Sequence, residues 1–413
     1  MICNAIIMSN WSELPQELLQ TITQKQSNYV DYISTRAVCK SWWSAIPKKP
    51  HDLLCQLPWL LLPYHKNNPN HRGFYNLADG KTYHLELPET IEKRCCGSSH
   101  GWLVMVEDTP SIFLLNPLTK ARIELPSLST FPNFPTEVVY ENSRNINEYF
   151  NTKAKLRIRE TYIRKAIVSE DPSTGNFAVM AIYKTINSTE NIAFCKSGDA
   201  TWFTIQETSQ KIHYQDVMFH RGKFYAVDDK GRVSICITDI NPPSVIQVAD
   251  PPPVPPLMGY KQWYLASLDE DLILAGRFRK YRGSGYEYQT HKFMVYKLDA
   301  SSSNWLELDG LGDMLSFLGW NCFHSISTQN YRNYSGNCIY FTDDKFIVGS
   351  DFPWEGHDYG IFNLDDKSVQ RLGLPSYPIK LPILPFIYGY ERSLKRDRSS
   401  FILPPPIWVT INP

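Results

Sequence analysis

The chain has no surplus of either charge: 42 Lys and Arg stand against 42 Asp and Glu in 413 residues. Such a balance argues against a generic nucleic-acid or anionic-membrane surface, which needs a basic excess. Long apolar runs are also missing. The most apolar stretch, LPWLLLPY at 57–64, falls far short of the roughly 20 residues that cross a bilayer. The first ten residues, MICNAIIMSN, lack a basic n-region, and their apolar run is too short for a signal peptide. These absences predict a soluble protein of the nucleus or cytoplasm, with no membrane partner. Nine cysteines are present, yet no two are spaced as C-x-x-C. The vicinal pair Cys95-Cys96 has no second Cys or His pair at zinc spacing, so reduced thiols packed in a core are expected.

Catalytic motifs are lacking too. There is no G-x-S-x-G elbow and no H-E-x-x-H helix. Gly283-Ser284-Gly285 sits at a hairpin tip and opens no helix, so it is no dinucleotide loop. Ser98, Ser99 and His100 adjoin one another without the orienting partner a nucleophile and base require. Asp228-Asp229, Asp343-Asp344 and Asp365-Asp366 fall at predicted hairpin tips, where Asp commonly bonds its own backbone. No catalytic residue, cofactor or metal is therefore expected. Two basic clusters stand out: Lys153, Lys155, Arg157, Arg159, Arg164 and Lys165, then Arg277, Arg279, Lys280 and Arg282 interleaved with Phe278 and Tyr281. The second could show cations and aromatic faces to RNA or an acidic peptide. The neutral balance favours a solvated loop and hairpin flank instead.

What is present begins with helical periodicity. Leu14, Leu18 and Ile22 recur every four residues and line one face of a helix that Pro15 suits at its first position. Val38, Trp42 and Ile46 repeat the spacing, with Trp43 beside them. A few turns of helix cannot bury that much apolar surface alone. Residues 9–50 thus read as a small module that docks on another protein, or as a helical hairpin capping its own domain.

After residue 56 the period changes. Short aromatic-led strands alternate with tips rich in Asp, Ser, Gly or Lys, as in FYNLADGKTYHLELP (74–88), IFLLNPLTKARIELP (112–126), AFCKSGDATWFTI (193–205), KFYAVDDKGRVSI (223–235), MVYKLDASSSNWLEL (294–308) and IFNLDDKSVQRL (361–372). Recurrence of one hairpin marks a degenerate internal repeat. Grouping the strands gives four-stranded meanders at 93–126, 163–206, 216–249, 262–309 and 316–373. The first group, 57–88, offers only three strands, and IWVT at 407–410 is a candidate fourth. A blade built from both chain ends leaves no open edge in a ring. The expected fold is mainly β: three N-terminal helices and a six-bladed β-propeller over 57–410, closed by the C-terminal strand. A seven-bladed ring or a pair of β-sandwiches is the alternative. Residues 127–162 read as a surface excursion, and DPPPVPP at 250–256 as an extended connector.

The run Leu14, Pro15, Glu17, Leu18, Ile22, Asp31, Arg36, Val38, Cys39, Lys40, Ser41 and Trp42 resembles an F-box, the module that hooks a substrate receptor onto the adaptor of a cullin–RING ubiquitin ligase. Gln26 stands where that family has Leu and Thr35 where it has an aromatic residue, each a loss of about 1 kcal/mol of apolar burial. Cys-Cys-Gly-Ser-x-x-Gly-Trp-Leu at 95–103, Asn-Pro-x-Thr at 116–119 and Pro-Pro-Ile-Trp-Val-Thr at 405–410 are similar to plant F-box proteins with a kelch-related C-terminal domain of unassigned activity. The resemblance implies a non-catalytic substrate-recruiting subunit. Leu14, Pro15, Leu18, Ile22, Val38, Cys39 and Trp42 would hold a Skp-type adaptor and, through it, cullin. Loops at the propeller mouth would hold an unknown target protein. Aromatic and Arg side chains anchor interfaces, which singles out Phe131, Phe134, Arg279, Tyr281, Tyr331, Tyr334, Trp354 and His357. Other readings are a non-degradative scaffold with a weakened F-box and an RNA- or glycan-binding propeller.

Overall fold

A computed structural model describes residues 11–26, 28–48, 50, 56–64, 68, 70–107, 109–131, 134, 158–184, 189–205, 212–255, 259–281, 288–299, 301–321, 323–331, 333–344, 347–348, 358–373, 402–403 and 407–410. Three short helices come first. α1 (Gln16–Gln24) starts directly after Pro15. α2 (Tyr29–Arg36) is capped by Asn28, whose Oδ1 accepts the Asp31 amide at 2.9 Å and satisfies one orphan donor of the first turn. α3 (Lys40–Ala45) is capped by Cys39, whose Sγ accepts the Trp42 amide at 3.5 Å. Their shared core is Leu19, Tyr32, Trp42 and Ile46. Its two polar tips are satisfied: Trp42 Nε1 donates to the Trp11 carbonyl and Tyr32 O–H to the Pro47 carbonyl, both at 2.8 Å.

The rest is a six-bladed β-propeller. From axis to rim, blade 1 runs Ile407–Val409, Trp59–Tyr64, His71–Asn76 and Lys81–Glu86. Blade 2 runs Arg94–Ser99, Trp102–Val106, Ile112–Leu115 and Arg122–Glu124. Blade 3 follows with Ile163–Val168, Ala178–Lys184, Glu190–Lys196 and Phe203–Thr204. Blade 4 contains Tyr214–His220, Lys223–Asp228, Val233–Ile237 and Ser244–Ala249. Blade 5 has the longest strands, Tyr260–Leu268, Asp271–Tyr281, Tyr288–Asp299 and Asn304–Leu308. The C-terminal strand closes the ring as expected: Trp59, Leu60 and Leu61 pair antiparallel with Val409, Trp408 and Ile407.

Blade 6 departs from the expected four-stranded meander. Its order is Phe323–Ser327, Met314–Leu318, Cys338–Phe341, Gly360–Asn363 and Val369–Gln370, five strands with a parallel pair at Leu315/Cys338 through Leu318/Phe341. The chain enters by the second position, turns after Leu318, descends along the axis and re-enters after a crossing loop, so the innermost strand is second in sequence.

Apolar side chains fill the seams between blades. Trp102–Val106 is buried along its whole length because both faces meet a neighbour. Leu103 and Met105 pack toward blade 1, while Trp102, Val104 and Val106 pack toward blade 3. The start of the expected 127–162 excursion is part of this core. Phe131 stacks on Trp202 at 4.7 Å and 26°, and Phe134 meets Tyr162 edge-on at 5.2 Å. Residues 135–157 lie outside the described set. The Pro-rich connector is held by its carbonyls: Trp305 Nε1 donates to Asp250 O at 2.7 Å and Tyr296 O–H to Pro253 O at 3.2 Å. No helix among the described residues is long and apolar enough to cross a membrane.

Candidate docking site

The three helices divide their apolar residues into an inner set and an outer set. Leu19, Tyr32, Trp42 and Ile46 complete the core. Leu14, Ile22 and Cys39 are half-buried against it. Pro15 is exposed, and so are Leu18 at 50%, Val38 at 59% and Trp43 at 50%. Of the i, i+4 line Leu14, Leu18 and Ile22, only Leu18 points outward; the other two flank the core, and Leu19, one residue off the line, is its fully buried contact. Trp42, named with the docking residues, is withdrawn into the module, where its indole fills the space between α1 and α3. Arg36 lies over the Trp43 ring at 3.7 Å and donates through Nε to the Ile46 carbonyl at 3.0 Å, so the exposed indole is held in place. The Trp42 amide bonded to Cys39 Sγ lowers the pKa of that thiol.

Gln26 and Thr35, the two departures from the F-box pattern, meet each other: Gln26 Nε2 donates to Thr35 Oγ1. A polar pair thus spans the gap between α1 and α2 that two apolar side chains would otherwise fill. The module is also tied to the propeller. Asn28 Nδ2 donates to Tyr83 Oη at 3.0 Å, Tyr83 O–H donates to Asp79 at 2.6 Å, and Tyr29 and Val30 pack on the seam of blades 1 and 2.

The side chains expected to hold a target are placed otherwise. Arg279 is 2% exposed and Arg277 is fully buried, both in the seam of blades 5 and 6. Arg277 donates to Thr342 O at 2.7 Å, Asp344 Oδ1 at 3.1 Å, Asp358 O at 2.9 Å and Thr290 Oγ1 at 2.7 Å. Arg279 pairs with Asp344 Oδ2, which also accepts from Tyr264 O–H. Burial pushes the Asp344 carboxyl up, but the two guanidiniums outweigh it and hold it below the usual carboxylate range. Arg279 is thus an internal ion-pair member rather than a surface anchor, which also removes it from an RNA-binding surface. Phe131 and Phe134 are core residues for the reason given above. Tyr331 and Tyr334 are half-buried in the seam of blades 6 and 1, where Tyr334 O–H donates to the Leu77 carbonyl at 2.6 Å. The backbone of Tyr281 ends a blade-5 strand, its side chain lies outside the described residues, and so do Trp354 and His357.

One feature of the ring escaped sequence reading. The turn that follows Leu318 in blade 6 reaches across the axis: Trp320 Nε1 donates to the Arg164 carbonyl of blade 3 at 2.5 Å, and Asn321 Nδ2 to Cys95 Sγ of blade 2 at 3.8 Å. Arg164 in turn grips both Glu190 oxygens at 2.8 and 2.9 Å and Gln262 Oε1 at 3.0 Å. Deeper in, Lys165 pairs with Asp216, whose other oxygen accepts the Leu265 amide of blade 5 at 2.8 Å. Burial, reinforced by Lys165 and His100, lowers the pKa of His324 to about 4. No local pattern announces such contacts, because they join different blades or strands, from 26 residues apart for Arg164 and Glu190 to 226 for Asn321 and Cys95. Among the described residues, no group of His, Cys, Asp and Glu is arranged to hold a metal ion.

A family model described as the KIB1-4 β-propeller matches residues 74–363. The F-box protein SKIP23 of Arabidopsis thaliana is 26% identical over 98% of this chain and 96% of its own length. An F-box/kelch-repeat protein of the same plant is 26% identical over 75% of this chain and 76% of its own.

Proposed function

The chain belongs to the KIB1-4 β-propeller family, and from that footing we propose that it is the substrate-recruiting subunit of a cullin–RING ubiquitin ligase. The helices hold a Skp-type adaptor, the propeller holds a target protein, and both sit in the nucleus or cytoplasm. One observation carries this reading: a helical module whose core is already complete keeps Pro15, Leu18, Val38 and Trp43 outside. Apolar side chains at that density on so small a unit are a partner surface. The names of the two Arabidopsis relatives, one an F-box protein and the other an F-box/kelch-repeat protein, support the identity of that partner. Catalysis would be by proximity, with the conjugating enzyme acting on a lysine that this chain positions. No side chain here needs a reactive pKa.

The test is capture of a purified Skp-type adaptor by the full chain and by a Leu18→Asp/Val38→Asp variant. Both positions are exposed, so the variant is expected to keep its melting temperature within a few degrees. Capture by wild type and about a hundredfold loss in the variant would support the reading. Equal failure of two folded proteins would sink it and favour a second reading, a scaffold outside the ligase, which the Gln26–Thr35 polar pair already motivates.

A further inference from the structure

Every propeller blade ends in an outer strand with one unpaired edge, a template for another chain unless charge, shortness or a covering element blunts it. Five of the six outer strands here are blunted. Lys81–Glu86 of blade 1 carries charge at both ends and engages the helices through Tyr83. Arg122–Glu124 of blade 2 is three residues long with an internal ion pair at 2.5 Å. Phe203–Thr204 of blade 3 and Val369–Gln370 of blade 6 are two residues each. Asn304–Leu308 of blade 5 carries Glu307 and is pinned by Trp305 to Asp250 O.

Blade 4 is the exception. Its outer strand Ser244–Ala249, SVIQVA, is six residues long and has no charge. Ile246 is 56% exposed, and Ile240 just before the strand is 49% exposed. The inner edge pairs with Val233–Ile237, and among the described residues no main-chain group from another blade bonds the outer edge.

We infer that Ser244–Ala249 is a docking edge for an extended, uncharged, β-branched segment of the recruited protein, added as a fifth strand of blade 4; this rests on the function proposed above. Three observations select that occupant. The edge lacks charge, so its complement is an uncharged segment rather than an acidic or basic one. The chain itself tolerates a fifth strand, since blade 6 has one. A second copy paired through this one strand would bury far less than the roughly 800 Å² per partner of a stable dimer, whereas a peptide strand needs only the main-chain ladder and alternate side-chain contacts.

The probe is a synthetic peptide of alternating valine and threonine with lysine tails for solubility, and its control has proline at alternate positions. Main-chain hydrogen exchange of the full chain is followed with each peptide, beside adaptor capture on the same sample. The expected result is slowed exchange confined to 244–249 with the first peptide only, and about tenfold weaker peptide binding in Ile246→Lys but not in Ile246→Thr. Unchanged exchange at 244–249 overturns the inference. So does protection without peptide that rises with protein concentration alongside a dimer in sedimentation, because a second copy then covers the edge. Adaptor capture reports separately on the ligase reading: its failure beside a peptide-bound edge sinks that reading and leaves the edge intact.

Discussion

Arg277 shows how much of this fold depends on single buried charges. Its guanidinium is fully enclosed and shared between Asp344 and Asp358, each also served by other donors. Removing one partner of such a set leaves an uncompensated charge in a low dielectric, which costs about 3–5 kcal/mol. Arg277→Met should therefore lower stability by that amount in chemical denaturation, although methionine fills much of the space. His324 acts through pH. Its folded pKa of about 4 lies below the ordinary value, so the unfolded chain binds the proton more tightly. Stability is then full above about pH 6.5 and falls as pH drops through the window down to 4. The loss between pH 7 and pH 5 should be on the order of 1–2 kcal/mol. His324→Gln should flatten that part of the stability profile, and a profile identical to wild type would refute the assignment.

Elements are fixed by close approach as much as by pairing. Gly97 lies on the innermost strand of blade 2, and a Cβ there would sit 1.8 Å from the Ala166 carbonyl oxygen of blade 3. No real Cβ tolerates that distance, and the obstacle is backbone that cannot rotate away. Gly97→Ala should force the two inner strands apart and cost several kcal/mol, on the order of an overpacked core or more, read as a lowered denaturation midpoint. Within the helices, the pattern of Leu14, Leu18 and Ile22 announced α1 but not its orientation. A stripe three and four residues apart is shared by a core face and a docking face, so only packing against Tyr32 and Trp42 could show that Leu19 goes inside. Gln26 and Thr35 were each visible as a polar intrusion, yet their mutual hydrogen bond depends on how α1 meets α2.

At the scale of the whole molecule the ring stands or falls on its closing strand. Trp408 is fully buried, meets Phe317 of blade 6 edge-on at 5.0 Å, and sits in the strand that pairs with Trp59–Leu61. Trp408→Ala should cost about 3–5 kcal/mol and lower the cooperativity of unfolding, because blades 1 and 6 lose the seam that joins them. A single transition at an unchanged midpoint would count against closure as the source of stability. The sequence by itself determined the helices, the blade-sized meanders and the borrowing of a strand from the C-terminus, since hydrophobic period and turn chemistry act over ten residues or fewer. Aromatic and Arg residues in predicted loops were chosen as target anchors by residue type alone, and Phe131, Phe134 and Arg279 proved to be interior. Residue type records what a side chain can do, while burial depends on which distant strands meet it. Only the tertiary structure decided that Trp320 would reach Arg164 across the axis, that blade 6 would take a fifth strand, and that one uncharged outer edge would have no strand partner among the described residues. These outcomes rest on contacts between segments far apart in the chain, whose geometry is set when six blades close into one ring.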